Sequence, residues 1–147
     1  MVKRTSLEGN ACPIARSLDA IGDWWSLLII REAFLGVRRF SAFQRSLGLA
    51  KNILTVRLRA LVERGILATE PAADGSSYRD YVLTPKGRGL FPILVALRQW
   101  SEEFDEHPDE IATMLVDRTH GRPVRKLLLC AEDGTALAPE QTTLAQR

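Results

Sequence analysis

The residues best suited to chemistry in this sequence are the cations between Val37 and Gly65. Arg38, Arg39, Arg45, Lys51, Arg57, Arg59 and Arg64 are opposed there only by Glu63. Between Trp100 and Asp117 the sign inverts: Glu102, Glu103, Asp105, Glu106, Asp109, Glu110 and Asp117 stand without a cation. The whole chain of 147 residues has a formal net charge of only +2. Near-neutrality therefore hides a basic segment and an acidic one. A basic cluster attracts phosphate and releases condensed counterions on binding. Charged surface helices are also ordinary, so charge alone leaves nucleic acid and plain solvated surface both open.

Spacing sharpens the choice. Leu54, Leu58 and Leu61 recur at helical intervals and form an inward stripe. Asn52, Val56, Arg59 and Glu63 then point away from it, with Lys51 and Thr55 on the flank. Asn and Arg each present paired groups to base edges in a major groove, so Asn52 and Arg59 are candidate base readers. Arg57 lies nearer the buried side and either pairs internally or reaches a phosphate. Arg38, Arg39 and Arg45 are candidate backbone contacts. Ser76, Ser77 and Arg79 are candidates for a minor groove or phosphates. For each of these residues a merely solvated surface role is the alternative.

The elements needed to position them follow from periodicity and punctuation. Pro13 suits the first turn of a helix carrying Ile14, Leu18 and Ile21, ended by Gly22. Asp23 can cap a second helix from about Trp24 to Leu35, whose length argues against a strand despite Ile29-Ile30. A third helix is expected near Ser41, with Ser41 and Gln44 at capping-box spacing. After Gly48 a fourth runs from about Ala50 to Arg64. Ile66–Glu70 and Tyr78–Leu83 are short and strand-like around Asp74-Gly75, the signature of a hairpin. Thr84-Pro85 opens a long helical segment through about Glu106, kinked or delayed at Pro92. Its stretch Leu90–Leu97 is apolar nearly all round and needs cover from the core or from a second subunit. A second Asp-Gly turn, Asp133-Gly134, predicts a small hairpin between Val124–Cys130 and Thr135–Leu137. The expected organisation is a mobile arm over residues 1–11, a domain over 12–106 and a C-terminal extension over 107–147. The fold class is mainly α with a small β-hairpin wing (α+β), a winged helix-turn-helix.

Several stretches, in order, resemble one family. Cys12-Pro13-Ile14 and then Leu18–Trp25 resemble the opening of the HxlR-type transcriptional regulators. Arg39-Phe40 with Phe43, Asn52-Ile53-Leu54-Thr55 with Arg57-Leu58-Arg59, and Tyr81–Gly87 resemble that family's helix-turn-helix and its wing-to-helix joint. The resemblance runs from Cys12 to about Trp100. It implies a homodimer, related to the MarR type, built by the terminal helices and bound to double-stranded DNA. Two positions depart from the pattern: Ala50 replaces a common capping Ser, and Val56 replaces a usual polar residue. Val56 either meets a thymine methyl or meets nothing.

Other chemistries are poorly represented. Cys12 falls at a helix N-cap near Arg16, where thiolate would be favoured. It is a candidate thiol sensor, the commoner alternative being a small buried residue. His120, Cys130 and Asp133 are too few for a closed metal site, and no metal or cofactor is expected. The Trp24-Trp25 pair suits core or dimer packing better than a small-molecule effector pocket, though an effector stays a candidate partner. The hydrophobic share of 46% supports a core without staples. Two distant cysteines and no apolar leader or span predict a cytoplasmic protein without membrane contact. No phosphate loop, nucleophile motif or carboxylate pair suggests an enzyme. The expectation is a DNA-binding regulator, a repressor by preference, on an inverted-repeat operator. The competing reading is a winged-helix protein-interaction module.

Overall fold

The computed structural model describes residues 5–105, 107 and 113–146. Of the residues named above, Glu106, Asp109 and Glu110 lie outside them, as do residues 1–4 of the expected arm and residues 108–112 and 147 of the expected extension. The chain divides into two compact units, one ending at Leu94 and the other beginning at Val95. The sequence reading placed its boundary after residue 106.

The first unit opens with α1 (Pro13–Ile21), with Pro13 in its first turn and Gly22 closing it. Asp23 caps α2 (Trp24–Phe34): one carboxylate oxygen accepts from the Ser26 N–H at 2.9 Å, the other from the Ser26 hydroxyl at 2.6 Å. Ile29 and Ile30 are fully buried on α2, so the ambiguous apolar run is helical. The next helix, α3 (Phe40–Leu47), starts earlier than expected and lacks the Ser41–Gln44 capping box. The Phe43 N–H bonds the Arg39 carbonyl at 3.0 Å, so the first turn closes on Arg39 and Ser41 falls inside the helix. That phase also buries Phe43 completely.

Gly48 joins α3 to α4 (Lys51–Glu63) with φ of 63°, a left-handed conformation that glycine adopts without steric cost. Ala50 at the N-cap of α4 supplies no side-chain bond, as its type dictates. Leu54, Leu58 and Leu61 enter one core with Ile29, Ile30, Phe43, Ile66 and Leu67. The wing pairs β1 (Leu67–Pro71) antiparallel with β2 (Arg79–Leu83), Leu67 opposite Leu83 and Pro71 opposite Arg79. Order and topology are those of a winged helix-turn-helix.

The long helix expected after Thr84 is two helices, a short α5 (Pro85–Arg88) and α6 (Phe91–Phe104). Pro92 is the second residue of α6. A proline costs nothing in a first turn, so it starts a helix here and does not kink one. Gly87 explains the tight joint: a Cβ there would sit 2.2 Å from the Ile66 carbonyl oxygen. Leu90 and Leu94 pack on the core, whereas Phe91 and Ile93 stay exposed.

In the second unit the tail lies against α6. The Gln99 amide donates to the Arg125 carbonyl at 3.1 Å and accepts from the Leu127 N–H at 2.8 Å, as a neighbouring strand would. Arg98 pairs with Glu102 at 2.6 Å and donates to the Thr113 carbonyl and hydroxyl, and Lys126 pairs with Glu103. Around Asp133-Gly134 the chain turns and makes one antiparallel bridge, Cys130 with Ala136. A second bridge joins Val116 and Pro123, and Pro139–Gln141 form a 3-10 turn. Leu97, Trp100 and Phe104 remain exposed on α6.

Candidate nucleic-acid interface

Burial of Leu54, Leu58 and Leu61 turns the opposite side of α4 to solvent. Lys51, Asn52, Ile53, Val56, Arg59 and Glu63 are exposed there. Among the described residues, Lys51, Asn52 and Arg59 make no side-chain bond, and neither do the exposed Arg38 and Arg45. Thr55 is half-buried and its hydroxyl donates to the Lys51 carbonyl at 2.8 Å, so its proton is already spent within the helix.

Ion pairing separates the other predicted cations from this set. Arg57 Nε lies 3.4 Å from the Asp23 carboxylate, so the cap of α2 also holds α4. This is the internal pairing left open for it. Arg64 pairs with Asp19 at 2.8 Å. Arg39 is the most heavily engaged. Its Nε donates to Asp80 at 2.7 Å, its Nη2 to Asp74 at 2.8 Å, and its guanidinium lies 5.6 Å from the Tyr78 ring centroid. The Tyr81 N–H donates to the Arg38 carbonyl at 2.8 Å. The start of α3 is thus strapped to the turn and to the second strand of the wing. The guanidinium of Arg39 is held above its ordinary pKa by its bonds to Asp74 and Asp80. The Asp74 carboxyl is held well below its own, first by the Ser76 hydroxyl and N–H and then by Arg39. These partners were missed in the sequence, where Asp74-Gly75 signals only a turn and Asp80 only a strand position.

The wing carries the remaining candidates. Ser76 and Ser77 are exposed at its tip, with the Ser76 N–H bonded to Asp74 at 3.0 Å. Arg79 is exposed and donates to the Thr69 carbonyl at 3.1 Å. Recognition-helix side chains, wing tip and the exposed Arg38 and Arg45 all belong to the first unit.

Cys12 is exposed at the N-cap of α1, so it is not the small buried residue of the alternative reading. Arg16 turns from it to donate to the Asn10 and Ala11 carbonyls at 2.7 and 2.8 Å. Among the described residues no three His, Cys, Asp or Glu side chains are placed to share a metal ion. Asp133 bonds the Thr135 N–H at 2.8 Å and Asp117 the His120 N–H at 2.6 Å. Nor is any described helix long and apolar enough to cross a membrane.

Comparison with known proteins converges on one group. The profile of the HxlR-like helix-turn-helix family matches residues 20–109. An uncharacterized HTH-type transcriptional regulator of Mycobacterium tuberculosis (strain CDC 1551 / Oshkosh) is 37% identical over 130 residues, 88% of this chain and 82% of that protein. The crystal structure of PA1607, described as a candidate transcription factor, superposes with a TM-score of 0.91 at 52% identity, over 97% of this chain and 100% of that one. A second candidate transcription factor, PA1374 from Pseudomonas aeruginosa, has a TM-score of 0.65 at 43% identity, with 92% of each chain covered.

Proposed function

The chain belongs to the HxlR-like helix-turn-helix family and is a transcriptional regulator of the helix-turn-helix type, and from that premise we propose that it is a homodimeric, sequence-specific repressor. The observation that carries the reading is the outward row of α4. Among the described residues, the side chains of Lys51, Asn52 and Arg59 make no bond, while Arg39, Arg57 and Arg64 are consumed by ion pairs. Asn52 and Arg59 address base edges, and Lys51, Arg38 and Arg45 address phosphates. Ser76, Ser77 and Arg79 extend the contact from the wing, and Thr55 and Arg57 support it from the flank of α4. Arg39 serves it through the position of the wing.

Dimerisation is supported by apolar side chains left uncovered on both terminal helices, Ile14 and Leu18 of α1 and Leu97, Trp100 and Phe104 of α6. Large exposed apolar groups in succession mark association surfaces. A two-fold dimer presents two copies of α4 to successive major grooves about 34 Å apart, hence an inverted-repeat operator. Repression requires only that such a dimer occupy a promoter in the cytoplasm. The exposed sulfur of Cys12 supports control by a thiol-reactive effector.

Competition gel shifts with DNA upstream of the protein's own gene test the reading. One duplex should outcompete random DNA, with affinity falling steeply as salt rises. If no duplex competes better than random sequence, the repressor reading fails and the protein-interaction module replaces it.

A further inference from the structure

Two apolar side chains stand in the outward face of α4. Val56 is 59% exposed and Ile53 39%. Neither packs on the core, which takes its α4 share from Leu54, Leu58, Leu61 and Val62. Both are β-branched, and such residues lose rotamer freedom in a helix, so an exposed pair gains the free protein nothing. Around them stand Lys51, Asn52 and Arg59, polar and without side-chain partners among the described residues. An apolar protein surface laid over this face would bury those three groups unpaired, at a cost that disfavours it.

A DNA major groove solves both halves of the problem. It offers acceptors and donors to Asn52 and Arg59, and it contains one apolar group, the C5 methyl of thymine. Val56 lies four residues after Asn52 and three before Arg59. At a rise of 1.5 Å per residue these are about 6 and about 4.5 Å along the helix, one to two base-pair steps.

We propose that Val56, with Ile53 beside it, packs against a thymine methyl in each operator half-site, between the base pairs addressed by Asn52 and Arg59. The proposal rests on α4 being the DNA-reading helix. It adds a specificity determinant that hydrogen bonding does not supply: an A·T pair with its methyl towards the protein is preferred over the same pair without it.

The test uses the full chain and duplexes that it selects from a random-sequence pool. Each thymine of a selected duplex is replaced in turn by deoxyuridine, which removes the methyl and leaves every hydrogen-bonding group in place. At least one replacement per half-site should weaken binding about fourfold, the worth of one buried methyl. Val56→Ala should weaken binding to the thymine duplex by a similar factor and abolish the difference between thymine and uracil at that position. An exposed Ala favours the helix, so the variant should fold, which its thermal melt checks. Indifference to every methyl, or a methyl effect that persists in Val56→Ala, overturns the proposal while leaving DNA binding intact. Failure to select any sequence overturns the reading of α4 itself, and the methyl contact with it.

Discussion

Arg39 and Arg59 are the same side chain set to different tasks. Arg59 is exposed on α4 and has no side-chain partner among the described residues, whereas Arg39 spans two wing carboxylates. Asp80 is buried, so removing Arg39 leaves a desolvated carboxylate uncompensated. Arg39→Ala should therefore lower the midpoint of denaturant unfolding. Arg39→Lys should recover little of the loss, because one ammonium cannot replace a fork that bonds both carboxylates. A chain with Arg39→Ala that unfolds at the wild-type midpoint would show the strap to be incidental. The outward row of α4 was legible in the sequence because it depends only on a period of 3.6 residues. The engagement of Arg39 was not. Its bond to Asp80 joins residues 41 positions apart, and nothing local distinguishes it from Arg38, whose side chain makes no bond among the described residues.

Among the elements, the wing is held by charge at its turn and by close packing at its exit. The depressed pKa of Asp74 gives the wing an acid-sensitive link. With the folded pKa below the ordinary 3.8, the link is complete at pH values above 3.8 and is lost as pH falls through the folded value. Exchange of the Ser76 amide should accelerate in that acid window relative to amides of α4, and Asp74→Asn should remove the difference. An unchanged acid response in Asp74→Asn would assign it to another group. At the exit, Thr84 caps α5 by accepting from the Gly87 N–H at 3.0 Å and donates to the Gly65 carbonyl at 2.5 Å. Gly87→Ala drives a methyl into the Ile66 carbonyl, so it should destabilise the unit by about 1–3 kcal/mol in a denaturant melt. A neutral result would mean the joint can open. The hairpin itself was readable from the Asp-Gly turn between two short strand-like segments. The break between α5 and α6 was not, because a proline reads alike as a kink or as a first-turn residue. The choice is made by the approach of Gly87 to Ile66, a tertiary contact. The missing box at Ser41 has the same origin, since burial of Phe43 and the pull on Arg39 set where α3 begins.

For the whole molecule, the helix-turn-helix-wing order and the core that supports it came from periodicity, caps and turns that are all local in the chain. Association is a different matter, because a single sequence signals it only as apolar surface in excess of what one core can use. Leu90, just before α6, and Leu94 on it are taken up by the core of the first unit, and Leu97, Trp100 and Phe104 of α6 remain exposed. Trp100→Glu places a charge in that face. It should convert a dimer to a monomer by light scattering while leaving the melt of the helix-turn-helix core nearly unchanged. A wild-type chain that is monomeric at working concentration, or a Trp100→Glu chain that stays dimeric, would remove α6 from the interface.

Sequence reading by the outward side chains of α4 is the core of the proposed function. Its most direct test is equilibrium competition of wild type and Arg59→Ala for a selected inverted-repeat duplex against random DNA. The account predicts that Arg59→Ala loses about 1–3 kcal/mol on the selected duplex and much less on random DNA, with wild type preferring the selected duplex by about a thousandfold or more. Equal losses on the two duplexes would contradict it, since Arg59 would then be touching phosphate and the sequence would be read elsewhere.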